Sequence, residues 1–344
     1  MAKNGNLHAA KAAKNDEFYT RLEDIEAELK HYRQHFAGKT VLLNCGDAPH
    51  RNFWKYFTLN FERLGLKKLI GTSFTFEGHG SVCIYEGDKN GNRMPDENEF
   101  VRYELQGNGD FRSEECVELL KEADVVVGNP PFSLFREYIA QLMEYGKKFL
   151  IIGSKNAIIY KEIFPDIKDN KLWLGLADPK VFRVPIDKVE NEKTQFIGDD
   201  GMVYQKFGNI CWFTNLEHEK RHQPLDLYKR YSNEEYPKYD NYDAIEVSKV
   251  ADIPEDYDGV MGVPITFLDK YCPTQFEIVG TDSPYYIELL GIKRMGEEWI
   301  QAYRQHGGTG HLTSNMHSLC LYDKNGVPKS VYKRILIRRK HADK

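Results

Sequence analysis

The sequence lacks the features typical of membrane proteins, of secreted proteins and of proteins stabilised by zinc sites or disulfides. No apolar run approaches the roughly 18–20 residues that a membrane-spanning helix needs, and the mean hydropathy is -0.59. The first residues contain no apolar core of the kind that secretory signals carry. The six cysteines are scattered without a Cys-x-x-Cys pair, so neither a zinc site nor a disulfide framework is indicated. These absences favour a reduced, cytoplasmic protein.

An overall excess of basic residues is also missing. The 344 residues include 47 Lys and Arg against 52 Asp and Glu, which makes the net charge -5. The distribution is nevertheless uneven, because residues 234–258 carry nine acids and two bases whereas residues 324–344 carry eight bases and one acid. Such an asymmetry allows one basic face to bind a nucleic acid on a chain that is acidic as a whole. A solvated acidic linker and a basic tail explain the same charges equally well.

Strand and helix patterns alternate through the first half of the chain. Over residues 40–155, apolar segments such as "TVLL", "VVV" and "KFLIIGS" alternate with helical patterns, and a hairpin is expected over 81–105. This order is typical of an α/β fold with a doubly wound, mostly parallel sheet. The predicted organisation is an α/β domain over 1–216, an acidic, Tyr-rich connector over 217–256, and a smaller α+β or β-rich unit over 257–344.

The segment "DVVVGNPPFSLF" combines a buried strand with an abrupt turn. The strand runs into Asn129, Pro130, Pro131 and Phe132. Neither proline has an N–H for the ladder, so the strand must end there. In open α/β sheets, ligands bind at this carboxyl edge of the strands. These four residues are therefore the predicted catalytic turn.

Such a turn suits the methylation of an exocyclic amine on a nucleobase. The amine is a poor nucleophile because its lone pair is delocalised into the ring, so an enzyme must hold the nitrogen in a geometry that localises the lone pair. The side-chain oxygen of Asn129 and the rigidly held carbonyl of Pro130 are two acceptors able to do this. The ring of Phe132 can stack on a base that has left its duplex. The alternative is a plain strand end with Phe132 in the core.

The turn and the strand before it resemble the amino-methyltransferases that use S-adenosylmethionine. The segments "AKAAKNDEFYT", "GVPITFLDKY" and "RILIRRK" narrow the resemblance to the EcoRI-type family of adenine-specific DNA methyltransferases, over most of the chain. This resemblance implies a Rossmann-like methyltransferase fold. It also implies transfer of a methyl group from S-adenosylmethionine to the N6 of a flipped adenine at a specific site in double-stranded DNA, as in restriction-modification.

The resemblance further implies which residues bind the methyl donor. The segment "NDEFYT" is similar to a motif around the methionine part of S-adenosylmethionine, "LLNCGDAP" to the loop after the first strand, and "GNGDF" to the piece that binds the adenine ring. The segment "LLNCGDAP" departs from the Asp-Pro-x-x-Gly-x-Gly form of related methyltransferases. The implied cofactor-binding residues are Phe18, Tyr19, Thr20, Asn44, Cys45, Gly46, Asp47, Asp110, Phe111 and Asn129. The acid expected to bind the ribose is missing, which leaves Thr72, Ser73 or Glu77.

The 257–344 unit is implied to recognise the DNA target. Phosphate contacts position a protein on DNA without specifying bases. The candidates for such contacts are Lys333, Arg334, Arg338, Arg339 and Lys340. The segment "GGTGHLTSN" could read bases through His311 or Asn315, or it could be a structural turn.

Two other classes of function remain open at this level. The same turn suits methylation of RNA adenine, of cytosine N4 or of a protein glutamine amide. A non-catalytic DNA-binding protein could also keep a methyltransferase fold, although it would be free to lose the catalytic turn. No catalytic metal is expected, because the sulfonium of the methyl donor already activates the methyl group. A monomer would suffice to modify one strand at a time.

Overall fold

The computed structural model divides the chain into two units. Unit 1 comprises residues 1–158 and 172–218, and unit 2 comprises residues 159–171 and 219–344. The residues that the structure describes are 18–44, 51–184, 194–309, 319–323 and 325–340. Within these ranges, no helix is both long and apolar enough to cross a membrane.

An eight-stranded sheet forms the centre of unit 1. Its strands are β2 (Thr40–Leu43), β3 (Lys68–Ser73), β4 (Ser81–Tyr85), β5 (Val101–Glu104), β6 (Val125–Gly128), β7 (Lys148–Ser154), β8 (Trp173–Leu174) and β12 (Ile210–Thr214). They lie in the order β5-β4-β3-β2-β6-β7-β12-β8. The four neighbours β3-β2-β6-β7 are parallel, as expected for apolar strands buried on both faces.

The sheet is mixed, whereas the sequence predicted a mostly parallel one. The hairpin β4–β5 extends it antiparallel on one side, and β12 and β8 extend it antiparallel on the other. The hairpin itself was expected over 81–105, but the sequence pattern does not show that it joins the main sheet. The α/β fold class is confirmed, since a methyltransferase-like parallel centre lies inside this larger sheet.

Helices pack around the sheet of unit 1 and follow its strands. They are Leu22–Leu29, Asn52–Leu59, Phe61–Leu64, Glu114–Glu122 and Phe135–Glu144, with short 3-10 turns at Arg33–His35, Glu97–Glu99, Phe132–Leu134 and Lys155–Ile159. In Phe135–Glu144 the buried residues recur at helical spacing, because one stripe of the helix must cover the sheet. Ser113 caps Glu114–Glu122 by accepting a hydrogen bond from the backbone of Cys116.

A second, smaller sheet in unit 1 carries the first described strand. Its members are β1 (Tyr19–Thr20), β9 (Val181–Arg183), β10 (Gln195–Ile197) and β11 (Val203–Lys206), in the antiparallel order β1-β9-β11-β10. Within the described ranges, strand β1 has two residues and one neighbouring strand. Its position therefore depends on contacts outside the small sheet.

Unit 2 is an α+β unit. Its sheet has the order β13-β14-β18-β15, and β16 pairs with β17 separately. These strands are β13 (Ala244–Glu246), β14 (Val260–Pro264), β15 (Phe276–Thr281), β16 (Cys320–Tyr322), β17 (Pro328–Ser330) and β18 (Arg334–Arg339). The helices are Phe164–Lys168, Pro284–Leu290 and Glu297–Gln305, with 3-10 turns at Glu219–His222, Val250–Asp252 and Ile265–Lys270.

The acidic stretch 217–256 is not a connector. It contributes β13 to the sheet of unit 2, and Tyr239 and Ala244 lie in the hydrophobic core there. The acidic residues predicted a solvated linker, but apolar residues between them, such as Tyr239 and Ala244, are buried. The charge density of a segment therefore did not decide whether it packs.

Candidate active site at the carboxyl edge of the parallel strands

The fold places a topological switch point between β2 and β6. The chain leaves β2 for β3 on one side, while β6 pairs with β2 on the other side. In doubly wound sheets, ligands bind in the crevice at the carboxyl ends of such strands. Strand β2 leads into Asn44, and β6 leads into Asn129. Both are residues that the sequence had singled out.

The turn after β6 has the predicted form. Asn129 is half-buried and Pro130 is buried, and Pro131 precedes the 3-10 turn Phe132–Leu134. The backbone N–H of Leu134 donates to the carbonyl of Pro131 at 3.0 Å, which closes the turn. The strand ends because proline cannot donate to the ladder, and the helix Phe135–Glu144 begins directly after the 3-10 turn.

The side chain of Asn129 is held in one orientation. Its amide nitrogen donates to the backbone carbonyl of Phe18 at 2.9 Å and lies 3.4 Å from the hydroxyl oxygen of Thr20. A carbonyl oxygen can accept only from the NH2 end of an amide. The Oδ1 atom of Asn129 is therefore turned away from Phe18. Residues that are 111 positions apart in the sequence meet here.

Two residues at the beginning of the helix Asn52–Leu59 contact strand β1. The Nδ2 atom of Asn52 donates to the carbonyl of Thr20 at 2.8 Å. The guanidinium of Arg51 lies over the ring of Tyr19, 3.5 Å from its centroid. The predicted cofactor motif at residues 18–20 thus lies between the catalytic turn and the helix that follows the loop after β2.

Asn44 is buried at the end of β2. Its Oδ1 atom accepts a hydrogen bond from the hydroxyl of Tyr138, which belongs to the helix after the catalytic turn. Cys45, Gly46 and Asp47, the remainder of the predicted cofactor loop, lie outside the described residues. The structure thus ties the first residue of that loop to the element that follows Asn129.

The "GNGDF" turn lies against the end of β3. Gly109 has φ +83°, and a Cβ atom there would lie 2.1 Å from the carbonyl oxygen of Ser73, so only glycine fits. Both oxygens of Asp110 accept from Arg112, at 2.9 and 2.7 Å. These hydrogen bonds hold the pKa of Asp110 below its usual value. Phe111 is buried and meets the ring of Tyr138 edge-on at 5.1 Å.

The partner of Asp110 was not foreseen from the sequence. Arg112 donates to both carboxylate oxygens through its guanidinium and also to Oδ1 through its backbone N–H, so a ligand amine would have to share these acceptors. The signal was present as an Asp-x-Arg spacing, but such a pair is common on surfaces. The cofactor-binding roles of Asp110 and Phe111 stay predictions.

The three candidates for the ribose differ in their surroundings. The hydroxyls of Ser73 and Ser81 are hydrogen-bonded to each other at 2.7 Å, and Glu77 is exposed. The hydroxyl of Thr72 is buried and has no hydrogen-bond partner among the described residues. Buried polar groups are rarely left in this state, which makes Thr72 the candidate that a ligand would satisfy.

Aromatic side chains surround the catalytic turn. Phe132 is half-buried and packs against the hydrophobic core of unit 1, as do Phe18 and Phe207. Phe18 and Phe207 meet edge-on with ring centroids 4.7 Å apart. One part of the Phe132 side chain therefore packs on the core, and another part is exposed. The sequence reasoning missed Phe207, because nothing in its local pattern separates it from a core residue.

Among the five basic residues predicted to contact phosphate, Arg334 is the exception. Its guanidinium forms an ion pair with Glu246 at 2.6 Å, and the two side chains are 11% and 4% exposed. Glu246 also accepts from the hydroxyl of Tyr239. An arginine paired with a buried carboxylate has its charge already neutralised, which argues against a phosphate contact by Arg334. The basic run crosses a central strand, where an inward-facing charge needs a buried partner.

The other four basic residues lie at the surface of unit 2 or near it. Lys333 donates to the carbonyl of Asp282 at 3.0 Å, and Lys340 donates to that of Pro273 at 2.8 Å. Arg338 forms an exposed ion pair with Glu277 at 3.0 Å, and Arg339 is half-buried. Their roles as phosphate contacts stay predictions. His311 and Asn315 lie outside the described residues.

Neither metal ligands nor disulfides enter this picture. No group of three or more His, Cys, Asp or Glu side chains that could hold a metal ion occurs in the described ranges. The described cysteines are free thiols, and all are buried.

Comparison with known proteins identifies the family. Residues 6–340 match the family model described as "Adenine-specific methyltransferase EcoRI". The chain is 46% identical to the Type II methyltransferase M.EcoRI of Escherichia coli, over 86% of this chain and 99% of that protein. It is 42% identical to the Type II methyltransferase M.MgeORF184P of Mycoplasma genitalium, over 84% and 90%. It is 43% identical to the Type II methyltransferase M.MpnI of Mycoplasma pneumoniae, over 83% and 89%. No solved structure matches. The chain belongs to the EcoRI family of adenine-specific methyltransferases.

Proposed function

We propose that this adenine-specific methyltransferase uses S-adenosylmethionine to methylate the N6 of an adenine that is turned out of duplex DNA at a specific sequence. The observation that carries the proposal is the orientation of Asn129. Its amide nitrogen is held by the carbonyl of Phe18, so its oxygen is left to accept from a substrate amine.

The residues of the turn supply the acceptors that the reaction needs. The two N–H groups of the adenine amine donate to Oδ1 of Asn129 and to the carbonyl of Pro130, which the proline ring holds rigidly. This pair of hydrogen bonds pulls the lone pair of N6 out of conjugation and aims it at the incoming methyl group. Phe132 stacks on the extruded base and keeps it in place.

The methyl donor would bind at the switch point between β2 and β6. S-adenosylmethionine supplies a methyl group activated by its positive sulfur: the S–C bond breaks as the N–C bond forms, the sulfur keeps the electron pair, and the amine then loses a proton. The residues that would hold it are Phe18, Tyr19 and Thr20, with Asn44 at the end of β2. Thr72 would offer its buried hydroxyl to the ribose.

Unit 2 would bind the DNA that carries the target adenine. Lys333, Arg338, Arg339 and Lys340 would contact phosphates and so hold the duplex without reading its bases. Arg334 is not among them, because its charge is used by Glu246. A monomer would suffice, because each reaction modifies one strand of the duplex.

A labelling experiment tests the reaction and its acceptor. The enzyme is incubated with methyl-labelled S-adenosylmethionine and unmethylated genomic DNA, and the digested nucleosides are separated by mass spectrometry. Labelled N6-methyladenine is the expected product. Labelled N4-methylcytosine, or label in RNA or protein and none in DNA, would overturn the proposed acceptor. Absence of S-adenosylmethionine binding in calorimetry would overturn the proposed cofactor.

Replacement of Phe132 tests the stacking role. We expect Phe132→Ala to weaken capture of the target base by about 1–3 kcal/mol, the usual worth of one base–aromatic stack. The measurement is the fluorescence of 2-aminopurine at the target position, together with the KM for DNA. Phe100→Ala is a matched control, because Phe100 is also half-buried against the core of unit 1 but packs on Trp54 and Tyr85. If the two variants capture the target base equally well, Phe132 does not stack on the base and is instead a residue of the hydrophobic core.

A further inference from the structure

The orientation of Asn129 depends on a strand that is weakly held by its own sheet. The carbonyl that accepts from Asn129 belongs to Phe18, at the beginning of β1. Strand β1 consists of Tyr19 and Thr20, and β9 is its one pairing partner in the described part of the chain. A two-residue strand with one neighbour cannot by itself fix the place of a carbonyl to a fraction of an ångström.

Asn52 supplies a second hold on this strand. It is the first residue of the helix Asn52–Leu59 and follows the N-cap residue Arg51, so it does not occupy the position at which asparagine commonly caps a helix. This helix has no side-chain cap. The amide of Asn52 donates instead to the carbonyl of Thr20 at 2.8 Å. The carbonyls of Phe18 and Thr20 are thus engaged by two side chains from different parts of unit 1.

We infer that Asn52 is a positioning residue for methyl transfer, which acts through β1 on the amide of Asn129. The inference rests on the proposed role of Asn129 as the acceptor for the adenine amine. Asn52 touches neither the adenine nor the methyl donor in this account. It holds Thr20, Thr20 holds the register of Phe18, and the Phe18 carbonyl selects the orientation of the Asn129 amide.

The physical reason lies in the symmetry of the amide group. A rotation of the Asn129 amide by half a turn exchanges its oxygen and its nitrogen with little change in shape. In the flipped state an NH2 group would face the adenine amine, and two donors repel each other. The Phe18 carbonyl rejects the flipped state because it would then face the Asn129 oxygen. Displacement of β1 weakens this selection, and misplacements near 1 Å at a reaction centre can cost about a hundredfold in rate.

The helix of Asn52 also follows the loop after β2, where the methyl donor is proposed to bind. Arg51, the residue before it, stacks on Tyr19 in the same strand. Two consecutive residues at the beginning of this helix therefore hold two consecutive residues of β1. The contact of Arg51 remains when Asn52 is replaced, so β1 is loosened rather than released.

Single-turnover kinetics test this inference. We expect Asn52→Ala to lower the rate of methyl transfer at saturating S-adenosylmethionine about tenfold to a hundredfold, with the KM for DNA and the melting temperature nearly unchanged. The Kd for S-adenosylmethionine should rise by less than the rate falls, because β1 also carries the residues proposed to hold the cofactor. Asn52→Asp keeps the shape but cannot donate to Thr20, so it should lose as much. Flipping of a 2-aminopurine target should stay as in the wild type, because the defect lies in the chemical step.

Asn60→Ala is the matched control. Asn60 lies at the other end of the same helix and donates its amide to the backbone carbonyl of Tyr56 at 2.7 Å. A wild-type transfer rate in Asn52→Ala or Asn52→Asp would overturn the inference. So would a loss that appears wholly in cofactor binding or in the melting temperature. Failure of the proposed function is separate from this, because the wild-type enzyme would then form no N6-methyladenine.

Discussion

Asn129→Ala is expected to abolish turnover while keeping the affinity for S-adenosylmethionine within a few-fold of the wild-type value. The variant loses the oxygen that would accept from the adenine amine, and the loss of one preorganised hydrogen-bonding group at a reaction centre costs about 10²–10³-fold in kcat. The donor end of the side chain contacts Phe18 and Thr20, so its removal also frees β1. Steady-state and single-turnover methylation assays with calorimetric cofactor binding measure both effects.

Asn129→Asp separates the two functions of this side chain. A carboxylate keeps an acceptor for the adenine amine but has no N–H for the carbonyl of Phe18. We expect a rate between those of the wild type and Asn129→Ala. Retention of most of the wild-type activity by Asn129→Ala would contradict the assignment of Asn129 as the acceptor.

Arg334→Met is expected to have the largest effect on stability, with little direct effect on the DNA contact. Removal of one partner of a buried ion pair leaves the other charge uncompensated and costs about 3–5 kcal/mol. Here the carboxylate of Glu246, which is 4% exposed, would lose its guanidinium. Urea unfolding followed by signals from unit 2 measures the loss. The salt dependence of DNA binding should be unchanged in the protein that remains folded.

Arg338→Met is the matched control on the same strand. Its ion pair with Glu277 is exposed, and such pairs are worth about 0–1 kcal/mol. If Arg338 contacts a phosphate, the salt slope of DNA binding should fall by about one in this variant. A double variant that replaces Arg334 and Glu246 with apolar residues should recover much of the lost stability. A small loss in Arg334→Met, together with a reduced salt slope, would restore Arg334 as a phosphate contact.

Much of the catalytic edge could be predicted from local sequence. The apolar run before Asn129 and the two prolines after it allow few structures besides a buried strand that stops at a turn. The helical spacing in Phe135–Glu144 likewise predicts a helix with one buried face. These features depend on residues that are only a few positions apart, so the sequence is enough to predict them.

The charged segments could not be interpreted in the same way. The acids of 217–256 predicted a linker, yet this stretch adds β13 to the sheet of unit 2. The bases of "YKRILIRRK" predicted a DNA-facing patch, yet Arg334 pairs inside the protein with Glu246. From sequence alone, a charged residue is predicted to be exposed unless its partner is known. The partner of Arg334 is Glu246, which lies 88 residues away in the sequence.

The sequence by itself determined the α/β class, the strand that stops at Asn129 and the family resemblance, because each rests on short-range pattern or on contiguous motifs. Only the tertiary structure decided that the turn and the first strand meet, with Asn129 donating to Phe18, and that Asn52 holds Thr20 from a third segment. The tertiary structure also decided which basic side chains form ion pairs within the protein, as Arg334 does with Glu246. Hydrogen bonds and ion pairs between distant segments depend on how the sheets bring strand ends together, and no local pattern records that arrangement.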